Sequence, residues 1–266
     1  MARAAGAGVD VLSVTDHDTL AGCAAAAAAC KAARIHFVHG IEITAVLDGA
    51  DVHVLGYYVS QDSEVLASFL ATQRQRRIDR IREMVARLAP HGIVLDAEAI
   101  LQPGLTDSAR SVGRPWIARA LVAQGHVPDM SEAFNRWLSR GRPAFVPRVG
   151  AAPEDVFERI HDAGGIASLA HPVLVKRDEL IPGYAEVGLD ALEVFHSDHD
   201  EATTAHYLAM ARSLKLGVSG GSDFHADDAH GGGTPGKVAL PRKYYEDLGR
   251  LRAARRASAS GSITSS

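Results

Sequence analysis

Several protein classes are excluded by what this 266-residue chain lacks. It has only two cysteines, Cys23 and Cys30, seven positions apart in an Ala-rich run. That is too few and too local for a disulfide framework, and the spacing puts both on one helix face, so a reducing cytoplasm is the expected location. No window of about 18 residues is apolar enough to span a bilayer, because the Ala-rich run over 21–33 is short and carries Lys31. Met1-Ala2-Arg3 leads into small residues and then Val9-Asp10 without the apolar centre of a secretory leader. There is no G-x-S-x-G elbow, and cysteines inside an Ala-rich helix make poor nucleophiles. Residues 231–237, Gly-Gly-Gly-Thr-Pro-Gly-Lys, match the spacing of a phosphate loop, yet Val238 stands where Ser or Thr is needed and no strand precedes them. They read as a rim loop. No internal repeat is visible.

What the chain has is a globular composition, 47% hydrophobic and 23% charged, with 13 His beside 32 Asp and Glu. Residues 9–14 read as a strand buried on both faces, and residues 19–34 as an Ala-rich helix with Asp18 or Thr19 as its cap. A short strand over 35–38 follows. Two further strands, 41–47 and 52–59, flank Asp48-Gly49, a strong hairpin signal. From 60 to 150 the pattern turns helical, with Ile78, Ile81, Val85 and Leu88 at helical spacing. After Gly150 come a helix (153–163), strands (166–170 and 191–195), a helix (201–214), a strand (216–219) and a last helix (243–257). Strands alternating with helices imply a parallel α/β sheet. The expected organisation is a first barrel part over 1–59, an inserted subdomain over 60–150, a second barrel part over 151–257 and a disordered tail over 258–266.

Charge divides along the same lines. Residues 60–150 hold 13 Arg, no Lys and 9 acidic residues, a balance of +4, and the remainder carries −8. An Arg-rich lobe against an acidic body suggests an anionic substrate held between guanidinium groups and metal ions. In parallel α/β folds ligands bind where strands end. Asp16, His17 and Asp18 follow the first strand, Glu42 the second, and His53 lies after the hairpin. His171 and His196 end later strands, and Asp223 and His225 follow the last. Imidazoles and carboxylates delivered from five segments to one rim imply a multinuclear site for Zn, Mn or Fe, since a shared cation removes the cost of desolvating each group.

Several motifs together resemble the PHP family, the polymerase and histidinol phosphatase superfamily. They are Val-Thr-Asp-His-Asp-Thr (14–19), Gly-Ile-Glu-Ile-Thr (40–44), His-Val-Leu-Gly-Tyr (53–57), Ala-His-Pro (170–172) and Gly-Ser-Asp-Phe-His (221–225). Gly-Arg-Pro (113–115), Ala-Arg-Ala-Leu-Val (118–122) and Ala-Gly-Gly-Ile (163–166) are similar to the branch acting on nucleotide 3′,5′-bisphosphates and short RNA. The resemblance implies a distorted (β/α)7-type barrel whose rim holds three divalent ions, with Mn2+ expected and Zn2+, Fe2+ or Mg2+ as alternatives. Glu42 would bridge two ions, His53 and His171 would complete one shell, Asp223 would bind another ion, and His17 and His225 the third. It also implies hydrolysis of a phosphate ester by a metal-activated water.

Family members begin with a strand carrying His-x-His and then an Asp, whereas this chain starts in the following helix. The resemblance therefore implies an absent strand and three absent ligands. Either the start lies upstream or the short form is real and impaired, binding metal or nucleotide without turnover. A form lacking them is expected to purify poorly and to hold about one tight ion. Arg114 fits a phosphate contact through its planar fork, and Arg142 and His196 are further candidates for lining the substrate cleft. Trp116 stands where the related motif carries His, and reads as lobe packing rather than base stacking. The expected partner is a small phosphorylated substrate, nucleotide or short RNA, with no duplex nucleic acid, membrane or obligate protein partner.

Overall fold

The computed structural model describes residues 1–107, 110–225 and 234–262. The helices are α1 (Ala2–Gly6), α2 (Cys23–Ala33), α3 (Glu64–Ala86), α4 (Ala97–Thr106), α5 (Arg114–Ala123), α6 (Met130–Ala133), α7 (Pro153–Asp162), α8 (Pro172–Val175), α9 (Ile181–Glu186), α10 (Glu201–Leu214) and α11 (Arg242–Ser262). The strands are β1 (Val11–Val14), β2 (His36–Leu47), β3 (Ala50–Tyr57), β4 (Ile166–Leu169), β5 (Ala191–Phe195) and β6 (Gly217–Gly220). They form one sheet in sequence order. His17, just past β1, and His225, just past β6, meet at 3.3 Å, so the sheet curls until the ends of its two outer strands touch.

The sheet is mixed, not parallel as the alternation suggested. β3 runs antiparallel to both β2 and β4, while β1–β2, β4–β5 and β5–β6 are parallel. The hairpin at Asp48 and Gly49, both at positive φ (51° and 72°), reverses the chain as a two-residue primed turn. The segments expected at 35–38 and 41–47 are one strand. Its first half pairs with β1 and its second half with β3, on opposite edges. Gly40 sits at the changeover, where a Cβ would lie 2.1 Å from Ser13 Oγ. β1 is partly exposed along its length rather than buried on both faces, because β2 is its only partner among the described residues.

Helix α2 begins at Cys23, later than expected, and its N-cap Gly22 makes no side-chain capping bond. The Asp18 carboxylate is engaged elsewhere: Oδ1 accepts the Thr44 N–H at 2.8 Å and Oδ2 pairs with Arg77. Both cysteines are free and buried. α11 continues past Ala257 to Ser262, so the expected tail starts inside a helix, and 263–266 lie outside the described residues. The phosphate-loop-like stretch falls partly outside them as well, at 231–233.

Two apolar cores result. Ile41, Ile43, Val54, Phe157, Ile160, Leu192 and Val194 fill the space between the sheet and α7, α9 and α10. Ile81, Met84, Leu88, Leu101, Ile117, Leu121 and Leu138 form a second core within the helices between β3 and β4. Each such side chain contributes about 1.5–3 kcal/mol relative to exposure. α3 joins the two, placing Leu66 and Leu70 in the first core and Ile78 and Ile81 in the second. Trp116 packs against the second core, in keeping with a packing role. No helix among the described residues is long and apolar enough to cross a membrane.

Gly220, at the end of β6, touches backbone that cannot yield. A Cβ there would lie 2.6 Å from the Phe195 carbonyl oxygen and 3.1 Å from Phe195 Cα. Gly220→Ala is therefore expected to destabilise the chain by about 1–3 kcal/mol in a denaturant melt. An unchanged midpoint would show that β5 and β6 separate freely here.

Candidate metal centre

Glu42 is the focus of the rim. It is 3% exposed, on the same face of β2 as Thr44. The β1–β2 register continues past Thr15 into an isolated parallel bridge between His17 and Glu42, fixed by Asp18 N–H to Glu42 O (2.8 Å) and Glu42 N–H to Asp16 O (3.1 Å). This brings the His17 ring beside the Glu42 carboxylate. β3 supplies His53 opposite Thr44, and the loop after β4 supplies His171.

Around Glu42, His53 Nδ1 lies 2.6 Å and His171 Nε2 3.4 Å from Oε1, and the two ring nitrogens are 3.3 Å apart. His17 Nδ1 lies 3.6 Å from Oε2. On the other side, His225 Nδ1 donates to the Asp223 carbonyl at 2.9 Å, which turns its Nε2 toward His17 Nε2 at 3.3 Å. The donor atoms fall into two sets sharing Glu42: His17, Glu42 and His53, and Glu42, Asp223 and His225. His171, in neither set, joins them through Glu42 at 3.4 Å, so the six residues expected from the sequence lie in one cluster.

These residues fit divalent ions. The His17 Nδ1 is buried without a hydrogen-bond partner, and 3.6 Å to the carboxylate is too long for one. Mixed imidazole and carboxylate donors at these separations are the chemistry of Mn, Fe or Zn sites, and a carboxylate can serve two ions at once. The electrostatics agree. Burial acts to raise Glu42, but hydrogen bonds from His171 and His53 and the nearby His17 hold its carboxyl well below the usual range. Burial lowers His17 to about 4 despite Glu42, with His53, His225 and Arg77 adding to the effect. Its ring is neutral at pH 7, with a lone pair to offer.

Three residues of the rim hold strained backbone: Asp18, His171 and Asp223 have φ of 54°, 27° and 49°. Such conformations cost about 1–3 kcal/mol each and persist where the surroundings impose them. At His171 the imposing group is Glu193 of β5, whose Oε2 accepts the His171 N–H at 2.8 Å. Burial pushes Glu193 up to about 7, opposed by His196 and by that hydrogen bond. The residue was not anticipated, although an acid in the otherwise apolar run Ala191-Leu-Glu-Val-Phe195 was a visible signal.

The three substrate candidates fare differently. His196 is a correction: its side chain is 1% exposed, its Nε2 lies 3.5 Å from Asp223 Oδ2, and its ring packs on His171 and His199. Its Nε2 is buried without a hydrogen-bond partner, and a ring this enclosed does not line the cleft. Arg114 is half-buried, stacked over Phe134 at 5.7 Å, with Asp51 and Arg148 nearby. Arg142 is exposed in the turn after α6, and no side-chain contact with the cluster is seen among the described residues.

No family model matches the chain, but individual proteins do. It is 33% identical over 253 residues to a 3′,5′-nucleoside bisphosphate phosphatase from Chromobacterium violaceum, covering 92% of this chain and 85% of that protein. It is 32% identical over 229 residues to the 5′-3′ exoribonuclease Rnm of Escherichia coli, covering 82% of this chain and 75% of that protein. A solved structure from Bifidobacterium adolescentis, assigned as a metal-dependent phosphoesterase, matches with a TM-score of 0.79 at 28% identity, covering 94% of this chain and 88% of that one. Identity at this level through most of both proteins shows that the chain belongs to the PHP family of metal-dependent phosphoesterases.

Proposed function

We propose that this enzyme hydrolyses phosphate esters of nucleotides, with 3′,5′-bisphosphates preferred and short oligonucleotides as the related alternative. The observation that carries the reading is the convergence of His17, Glu42, His53, His171, Asp223 and His225 around one buried carboxylate, in a chain whose relatives act on these two substrate types. Mn2+ suits a donor set that mixes imidazoles with carboxylates. The curled sheet supports a distorted (β/α)7 barrel, and residues 60–150, with their own apolar core, support an inserted lobe.

When bound, divalent ions supply Lewis acidity toward the phosphoryl oxygens and acidify a water, whose pKa is drawn toward about 7, into the nucleophile. The chain's own groups hold and orient. Glu42 sits between the two donor sets, so its carboxylate keeps their spacing fixed. Glu193 fixes the backbone of His171, and His196 stands beside Asp223 at 3.5 Å. Arg114 offers a planar fork to phosphoryl oxygens from the lobe side.

His171→Ala, His53→Ala and Asp223→Ala should each abolish Mn2+-supported hydrolysis of adenosine 3′,5′-bisphosphate while leaving most of the fold intact by circular dichroism. Metal analysis should show fewer ions per chain than in the unaltered protein. Wild-type turnover in these variants would remove the metal centre from the mechanism. Arg114→Ala is expected to lower kcat/KM by about 10–100-fold, the effect of losing a charge-assisted hydrogen bond. An unchanged value would return Arg114 to a packing role.

A further inference from the structure

At the end of the sheet opposite the metal centre lies a cleft of about 540 Å3. Its walls are the start of β2, the segment just past β3, the turn between α7 and β4, and α11. Because β1, β2, β4, β5 and β6 run parallel and β3 runs against them, these walls share one end of the sheet. His17, His171 and Asp223 follow strands at the other end. α11 closes the cleft's end of the sheet, where Leu248 packs against Ile166 and Ala191, the first residues of β4 and β5.

The opening follows from the strand pairing. β2 is paired with β1 up to His39 and with β3 only from Gly40 onward, so among the described residues no strand covers the β3-side edge of 36–39. The chain turns away at Tyr58, the first residue past β3. Its φ of 62° is one that bulky side chains rarely adopt, and the Tyr58 N–H holds it there by donating to the His39 carbonyl at 2.7 Å. Ser60 N–H then donates to the Ala163 carbonyl at 2.8 Å, which fixes the opposite wall. Main chain, and not movable side chains, holds the cleft open.

The groups that line it are cationic or neutral. Arg252 and Arg256 stand about one turn apart on α11, His36 and His39 come from β2, and no Asp or Glu lines the cleft. The Arg252 guanidinium lies over the Tyr58 ring at 4.9 Å, and its Nε is buried without a hydrogen-bond partner. Burial and the neighbouring Tyr245 push the Tyr58 hydroxyl up to about 12 against the pull of Arg252, so the phenol stays neutral and leaves the guanidinium charge unanswered. Arg255, by contrast, is engaged by Asp190 at 2.7 Å. A buried donor like Arg252 Nε is costly until an acceptor arrives.

Size and lining narrow the ligand. Small-molecule sites run from about 300 to 1,000 Å3, and a free phosphate would leave most of this cleft unfilled. Phe37 and Tyr58 supply aromatic surface for a flat ring, and guanidinium groups suit a phosphoryl group. We propose that the cleft is a second nucleotide site, separate from the metal centre. Arg252 and Arg256 take the phosphoryl group of a nucleoside monophosphate, and the aromatic wall takes its base. The choice of ligand rests on the phosphoesterase reading, since hydrolysis of a nucleoside bisphosphate releases such a molecule.

The test titrates adenosine 5′-monophosphate calorimetrically into the chelator-treated full chain. Binding should weaken at least tenfold in Arg252→Met, and further in Arg252→Met/Arg256→Met. Arg252→Lys, which keeps the charge and loses the fork, should fall between, and His53→Ala at the metal centre should leave the affinity unchanged. Adenosine without its phosphate should bind at least tenfold more weakly. A readout that needs no substitution is nuclear magnetic resonance of the unaltered chain, where the nucleotide should shift the His36 and His39 imidazole signals and leave that of His91 in place. Unchanged affinity in the folded double variant, or His36 and His39 signals that stay still, would overturn the site. Inorganic phosphate binding as tightly as the nucleotide would overturn the nucleoside assignment. Initial rates of bisphosphate hydrolysis with Mn2+ should be the same in Arg252→Met as in the unaltered enzyme. An unaltered enzyme that hydrolyses no phosphate ester would sink the phosphoesterase reading alone, and the titrations would then decide the cleft by themselves.

Discussion

A carboxylate withdrawn from water is the constraint on which the rest of this molecule depends. Glu42 is almost fully buried, and three imidazole rings approach its two oxygens at 2.6–3.6 Å. Burying such a charge costs several kcal/mol unless partners surround it. The partners come from the loop after β1, from β3 and from the loop after β4, and no single segment supplies them. The bridge between His17 and Glu42, the hairpin that returns His53, and the strained turn at His171 are three local solutions to one requirement.

The groups behind these residues follow the same logic. His171 is held through its backbone by Glu193, Asp223 is approached by the buried His196, and His225 is oriented by the Asp223 carbonyl. Such outer contacts fix ring orientation and tautomer, which is how a ligand set keeps its geometry. The ion pair of Asp18 with Arg77 couples this rim to the lobe, since α3 carries Arg77 out of the second core and into contact with the loop after β1. Acidic body and basic lobe therefore meet at a defined place instead of merely facing each other across solvent.

Much of this was legible from residue patterns. The chemistry-bearing residues read at strand ends, narrowed by the family motifs, include all six members of the cluster, although Glu42 and His53 lie within β2 and β3 rather than where the chain leaves them. Asp48-Gly49 specified its own turn, since both positions demand positive φ. What escaped was set by long-range contacts. Asp18 looked like a helix cap, but the Thr44 N–H and the Arg77 guanidinium, which is 59 positions away in sequence, compete for it and win. Residues 35–38 and 41–47 read as separate strands, yet one strand runs through Gly40 because the missing side chain admits Ser13 and Thr15. His196 looked like a rim residue, although the bend after β5 folds it inward.

The most direct test of the central claim is titration of Mn2+ into the chain, read as loss of the free-ion signal in electron paramagnetic resonance, with the unaltered protein and Glu42→Gln compared side by side. If one carboxylate organises both donor sets, the substitution weakens every bound ion, by more than about tenfold. Retention of the original affinity and stoichiometry by Glu42→Gln would contradict the account.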